Sequence, residues 1–246
     1  MSGAWFNGTT SKAQDAATAL TAAIFTLCGW VQALGQGGGG FGRVLQADEL
    51  VGGTGANGWN LSHNNSANTL FFAHATTSSF GNWTFPCGDS LWRPFSLTFN
   101  RNAIGNNPSA RVSLASVTVT NILAQTGTYI APLTGYNIGN RGASDRGWNG
   151  GLMHLQYHPV ALSAADQDKA NRYPGSVRTN GAKWWPLLTG TYLEMWEADG
   201  VTWARGLDPV ATALSSLGTS PTCAPRRLIS VPGPLASHLL GRVRAA

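Results

Sequence analysis

Apolar and polar residues alternate strictly through Phe95-Ser96-Leu97-Thr98-Phe99, the two-residue period of a strand with one buried face. The same period puts Phe25, Leu27, Gly29 and Val31 on one face of an earlier strand, with Thr26, Cys28, Trp30 and Gln32 on the other. Thr69 to Ala73 is another short strand. Met153, Leu155 and Tyr157 alternate with His154 and Gln156 in a late one, which points His154 outward. Val112 and Leu114 keep one phase whereas Val117 and Val119 take the other, so a turn or bulge is expected near Ala115-Ser116. Asn100 to Pro108 collects Asn, Gly and Pro and forms a turn region. Regularly spaced short strands with Gly- and Asn-rich turns predict an all-β antiparallel sandwich or jelly roll.

Helical signals are few. Ser163-Ala164-Ala165-Asp166 is a capping box, in which the Ser163 hydroxyl accepts from the Asp166 amide. The helix it opens runs through Lys169 to about Arg172 and stops before Pro174. Ala13 to Ala23 is rich in alanine, but Thr18, Thr21 and the adjoining strand leave it open to helix or strand. From Gly218 onward, Pro221, Pro225, Pro232 and Pro234 mark an extended arm. The organisation expected is a jelly roll over residues 1–175, added strands or an extension of the same domain over 176–217, and the arm over 218–246.

Composition fits this picture. Charged residues make up 11% of the 246 residues, while glycine reaches 31 and tryptophan 10. Short strands and tight turns with a surface of amides and hydroxyls have this balance, and the aromatic content argues against disorder. The net charge of +5 is unevenly placed. Beyond Asp208 no acidic residue occurs, whereas Arg226, Arg227, Arg242 and Arg244 all lie there, so the tail is a basic segment suited to an acidic partner. Lysine and interleaved aromatics are missing from it, which disfavours nucleic acid.

Cys28, Cys87 and Cys223 are odd in number and lack metal-ligand spacing, so no zinc site is expected and no disulfide is required. The first residues do not read as a secretory signal, and no apolar run reaches membrane-spanning length. The expectation is synthesis and folding in the cytoplasm. Gly35 to Gly40 superficially fits a dinucleotide-binding fingerprint, but lacks its strand-to-helix setting and reads as a hairpin loop.

One ordered set of segments carries a family resemblance: Phe6-Asn7-Gly8; Phe25 to Val31; Leu91 to Phe99; Tyr136 to Gly139; then Trp148-Asn149-Gly150-Gly151-Leu152-Met153-His154-Leu155-Gln156-Tyr157 running into Leu162-Ser163-Ala164-Ala165-Asp166. Across roughly residues 4–173 this resembles the laminin-G-like branch of the concanavalin A-like lectin and glucanase superfamily. The resemblance implies two antiparallel sheets face to face, one of them concave, and Trp148 as a core aromatic. Family members bind sugars or proteins, build assemblies, or in a minority hydrolyse glycans. Similar free-standing domains occur in virion proteins of tailed phages. The expectation drawn from it is a non-enzymatic virion component, either a capsid decoration or head fibre or a tail component. Its partners would be other virion subunits, copies of itself in a homo-oligomer, and host-surface glycans.

A glycosidase needs two carboxylates across a cleft, and the nearest candidates are Glu194, Glu197 and Asp199. Glu194 and Glu197 are an odd number apart and face opposite ways in a strand, while Asp199 precedes Gly200 at a strand end, so no catalytic residue is expected. Asp145, Asn137, Asn140 and Asn149 surround a loop with calcium-type oxygens, but Arg141 and Arg146 make it electrostatically poor for a divalent cation; neither metal nor cofactor is expected. Trp59 and Trp83, both in Gly- and Asn-rich surroundings, are the candidate sugar-stacking rings, with Asp145 and Arg146 as polar ligand contacts. Trp30 and Trp92 are expected to pack. No nucleophile elbow or repeated histidine spacing is present.

Overall fold

A computed structural model of the chain describes residues 3–48, 57–64, 69–77, 80–87, 90–101, 108–123, 127–188, 194–205 and 210–212. The strands are β1 (Ala4–Asn7), β2 (Lys12–Asp15), β3 (Ile24–Ala33), β4 (Arg43–Ala47), β5 (Trp59–His63), β6 (Thr69–Ala75), β7 (Phe80–Pro86), β8 (Arg93–Asn100) and β9 (Ser109–Val112). After them come β10 (Ala115–Val117), β11 (Thr120–Leu123), β12 (Tyr136–Ile138), β13 (Asn149–His158), helix α1 (Ala164–Arg172), β14 (Asn180–Trp185), β15 (Trp196–Asp199), β16 (Trp203–Arg205) and β17 (Val210–Thr212).

Two antiparallel sheets result. The first has nine strands in the order β10-β9-β8-β3-β13-β14-β15-β16, with β1 also on β13. The second has eight, in the order β11-β7-β6-β5-β4-β12-β2-β17. The alternation in the sequence decides which faces meet. Phe25, Leu27 and Val31 of β3 and Phe95, Leu97 and Phe99 of β8 point inward and bury against Leu45, Leu61, Phe72 and Ile138 of the second sheet. Four tryptophans, Trp59, Trp83, Trp148 and Trp185, are wholly buried between the layers.

One edge of β13 is shared. Asn149 to Leu152 pair with β1, while Leu155 to Tyr157 pair with β14. The register slips between Met153 and Gln156, where His154 takes a φ of 52° and donates its amide to the Pro186 carbonyl. This bulge lets two short strands share one long partner. His154 lies with its ring beside that of Trp184 on the outer face and is only 7% accessible.

Several expectations are met and others move. Helix α1 opens as the capping box predicts, with Ser163 Oγ accepting from the Asp166 amide at 3.1 Å and donating to its carboxylate at 2.7 Å. The Ala13–Ala23 segment is not helical: β2 ends at Asp15, whose Oδ1 accepts from the Ala17 and Thr18 amides to turn the chain. The phase change after Val112 comes from a tight hairpin at Ser113-Leu114, both with positive φ, so Ala115 and Ser116 already belong to β10. Strands β14, β15 and β16 extend the first sheet, and β17 adds to the second. The segment 218–246, with Arg226, Arg227, Arg242 and Arg244, lies outside the described residues.

Candidate functional site

The outward phase of the second sheet is unusually polar. Cross-strand register aligns Gln14, Asn137, Gln46, Asn60, Ala73 and Asn82 in a row over β2, β12, β4, β5, β6 and β7. Each amide occupies the phase of its strand opposite to the core residues: Gln46 lies between Leu45 and Ala47, Asn60 between Trp59 and Leu61, Asn137 between Tyr136 and Ile138, and all three are buried, Gln46 and Asn60 almost completely. Beside this row run Arg43, Ser62, Phe71 and Thr84, with Lys12 two residues before Gln14 on the same face of β2.

Hydrogen bonds fix the floor. Arg43 Nε donates to Gln46 Oε1 at 3.1 Å, and Gln46 Nε2 donates to the Asp48 carbonyl at 2.8 Å. The Asp48 carboxylate in turn accepts from the Leu133 and Thr134 amides and from the Thr134 hydroxyl, pinning the loop before β12. A cavity of about 260 Å³ opens there, lined by Gln14, Ala16, Asp48, Thr134, Asn137 and their neighbours. Asn137 is 8% accessible, and its Oδ1 has no hydrogen-bond partner. An unpaired buried carbonyl oxygen is costly unless something outside the chain supplies a donor.

The other end of the face is aromatic and cationic. Phe41 and Phe71 lie with ring centroids 5.8 Å apart, and the Arg146 guanidinium sits 5.8 Å over Phe41 while bonding to the Gly39 carbonyl. Arg43 and Arg146 are adjacent, joined by an Arg43 amide to Arg146 carbonyl bond of 2.8 Å. Burial, followed by the charges of Arg146 and Arg141, lowers the Arg43 pKa to about 10. It stays cationic at neutral pH.

The outer face of the first sheet differs entirely. Helix α1 covers its centre, where Cys28 meets Leu162, Ala170 and Val177. Around the helix lie six partly buried tryptophans. Trp5 and Trp92 meet edge to face at 6.1 Å above Gly151. Trp30 donates to the Asn171 carbonyl, and Trp184 contacts both Trp196 and Trp203.

No family model and no curated protein sequence matches the chain. Among solved structures, the native heptameric SAP-like pentraxin from Limulus polyphemus superposes with a TM-score of 0.54 at 12% identity, covering 84% of this chain and 92% of the pentraxin. Its fold is a concanavalin A-like jelly roll. Two more distant likenesses are the mouse laminin α1 domains LG4-5 and the CBM40 domain of the Ruminococcus gnavus IT-sialidase. The first has a TM-score of 0.47 at 12% identity, over 64% of this chain and 40% of that one. The second has 0.45 at 14% identity, over 62% and 84%. At these identities the likeness is one of fold.

Within this jelly roll the sequence-predicted site residues part company. Trp59 and Trp83 sit on strands, not loops, and neither is accessible to solvent. Trp59 stacks between Phe25 and Tyr157, and Trp83 stacks on His74, so the expected sugar-stacking role of both rings is corrected to core packing. Trp148 is core, as the resemblance implies. Asp145 is held by a two-pronged ion pair with Arg141, which keeps its carboxyl below the usual range. Arg146 does reach the polar face. Asn140 instead organises its loop, accepting from the Arg141 and Arg146 amides and donating to the Thr9 carbonyl. Among the described residues no cluster of His, Cys, Asp or Glu is arranged to hold a metal.

The glycosidase candidates are occupied locally. Glu197 pairs with Lys183, and Glu194 lies 3.6 Å from Arg205. Asp199 caps the turn after β15, and the Thr202 and Val201 amides hold its pKa at about 2. Sequence reasoning missed the amide row because its members come from segments far apart in the chain. It missed the tryptophan face because Trp184, Trp196 and Trp203 follow the recognised pattern.

Proposed function

We propose that this chain is a non-enzymatic glycan-binding jelly roll whose site is the amide-lined outer face of the second sheet. The observation that carries this reading is the polar cavity lined by Gln14, Asp48, Thr134 and Asn137, at the end of the amide row that continues through the buried Gln46 and Asn60, with the Phe41–Phe71 aromatic pair beyond it. A sugar presents hydroxyls that both donate and accept, and apolar C–H faces. Amides match the first because each has two donors and an acceptor, and aromatic rings match the second. A few fixed polar groups in a preformed concavity is the usual composition of a small-molecule site.

The test is a glycan array with the purified chain, followed by titration of the best ligand against Asn137→Leu and Phe71→Ala. Each variant should weaken binding by about tenfold or more while the circular dichroism spectrum is retained. An array on which nothing is retained defeats the proposal.

The wider setting proposed is the surface of a virus particle, as a capsid decoration or tail component bound to other virion subunits. Six partly buried tryptophans on one sheet face favour this second reading, because tryptophan is enriched at protein interfaces. Co-sedimentation with particles, weakened by Trp196→Ala, is the expected result; a chain that never associates with particles removes this setting without touching the glycan site.

A further inference from the structure

We infer that the glycan recognised is an acidic one, whose carboxylate or sulfate is taken by Lys12, Arg43 and Arg146 at the end of the amide row. The inference rests on the glycan-binding reading above and names the class of sugar. Four cations gather around the loop of residues 140–147: Lys12, whose Nζ donates to the Gly142 carbonyl at 2.9 Å, together with Arg43, Arg141 and Arg146. The carboxylate within this group is Asp145, and Arg141 engages both of its oxygens.

Among the described residues no carboxylate lies within ion-pair distance of Lys12, Arg43 or Arg146. Asp145, already engaged by Arg141, is the acidic neighbour felt by Arg43 and Arg146, and the charges of Arg141 and Arg146 act against Arg43. Lys12 and Arg43 are each 8% accessible, and the Arg146 Nε is buried with no hydrogen-bond acceptor. Cations are rarely buried unpaired, because removing them from water is compensated only by an opposite charge. Carbonyls of Gly142, Phe41 and Gly39 hold the three side chains in place without neutralising them. Among the described residues the arrangement lacks a matching anion, which a ligand would supply. Gly142 also lines the cavity beside Asn137, so an anionic group at the cations and sugar hydroxyls at the amides belong to one continuous ligand.

The experiment compares matched polymers. Polygalacturonate is titrated against its methyl-esterified form, and dextran sulfate against dextran, at low and high salt. The charged member of at least one pair should bind about tenfold more tightly at low salt, as charge-assisted hydrogen bonds require. Whichever pair shows the preference identifies carboxylate or sulfate as the group read. Arg146→Gln, at a partly exposed position, should abolish the preference. Arg172→Gln, on the exposed surface of α1, should leave it intact. Equal affinity within both pairs overturns the inference, as does an equal loss in Arg172→Gln, which would show attraction to overall charge alone. Retention of neutral glycans in either case leaves the glycan-binding reading standing; failure to bind any glycan removes both.

Discussion

Trp59 of β5 lies stacked on Phe25 of β3, ring centroids 4.7 Å apart and planes within 25°, so that one aromatic pair joins the two sheets. Tyr157 of β13 completes the stack on Trp59 at 6.3 Å. Removing the indole leaves a large cavity where the layers meet. Trp59→Ala should therefore lower unfolding free energy by about 3–5 kcal/mol, read as a fall in urea midpoint. A loss below about 1 kcal/mol would contradict the placement of this ring in the core.

Helix α1 is fastened to the first sheet by amides as much as by apolar contact. Asn171 Oδ1 accepts from the Gly29 amide at 3.2 Å, and its Nδ2 donates to the Phe95 carbonyl at 3.1 Å. Gln167 accepts from Ser96 at 2.6 Å and donates to Thr98 and Leu162. Asn171→Leu would leave two buried backbone groups unpaired, at about 1–3 kcal/mol each. Hydrogen exchange should accelerate first at Gly29, and unchanged protection there would count against this bridge.

Burial lowers the pKa of His154 and of His158 to about 4 from the ordinary 6.5, and lowers that of His63 as well. Above pH 6.5 folded and unfolded states both hold the rings neutral. Between 6.5 and 4 the unfolded chain takes up protons that the folded one refuses, so stability falls as pH falls. His154 and His158 each contribute a slope of about 1.4 kcal/mol per pH unit across this window. Urea midpoints measured from pH 7.5 to 4 should show the decline, and His158→Gln should flatten it by one proton.

Cys28 and Cys87 are both buried thiols. Burial raises both pKa values, that of Cys87 to about 11 and that of Cys28 further. The thiolate is the reactive form, so neither should be modified in the native state at pH 8. With Cys223→Ser as background, two thiols should react only in denaturant; rapid native labelling of either would show that the packing around it is wrong.

What the sequence determined by itself follows from local rules. The alternation in Phe25–Val31 and Phe95–Phe99 already assigns which side chains face the core, because a strand has only two faces. Ser163 and Asp166 sufficed for the start of α1, since a capping box needs only residues three apart. Tertiary structure decided the rest. Trp59 and Trp83 sit among Gly and Asn that read as loop, yet pairing with His74 and Phe72 puts them on the inner faces of strands. The row from Gln14 to Asn82 and the gathering of Lys12, Arg43 and Arg146 exist only through register between strands distant in the chain. No local pattern encodes that register, because it is the matching of two buried faces that sets which outward residues become neighbours.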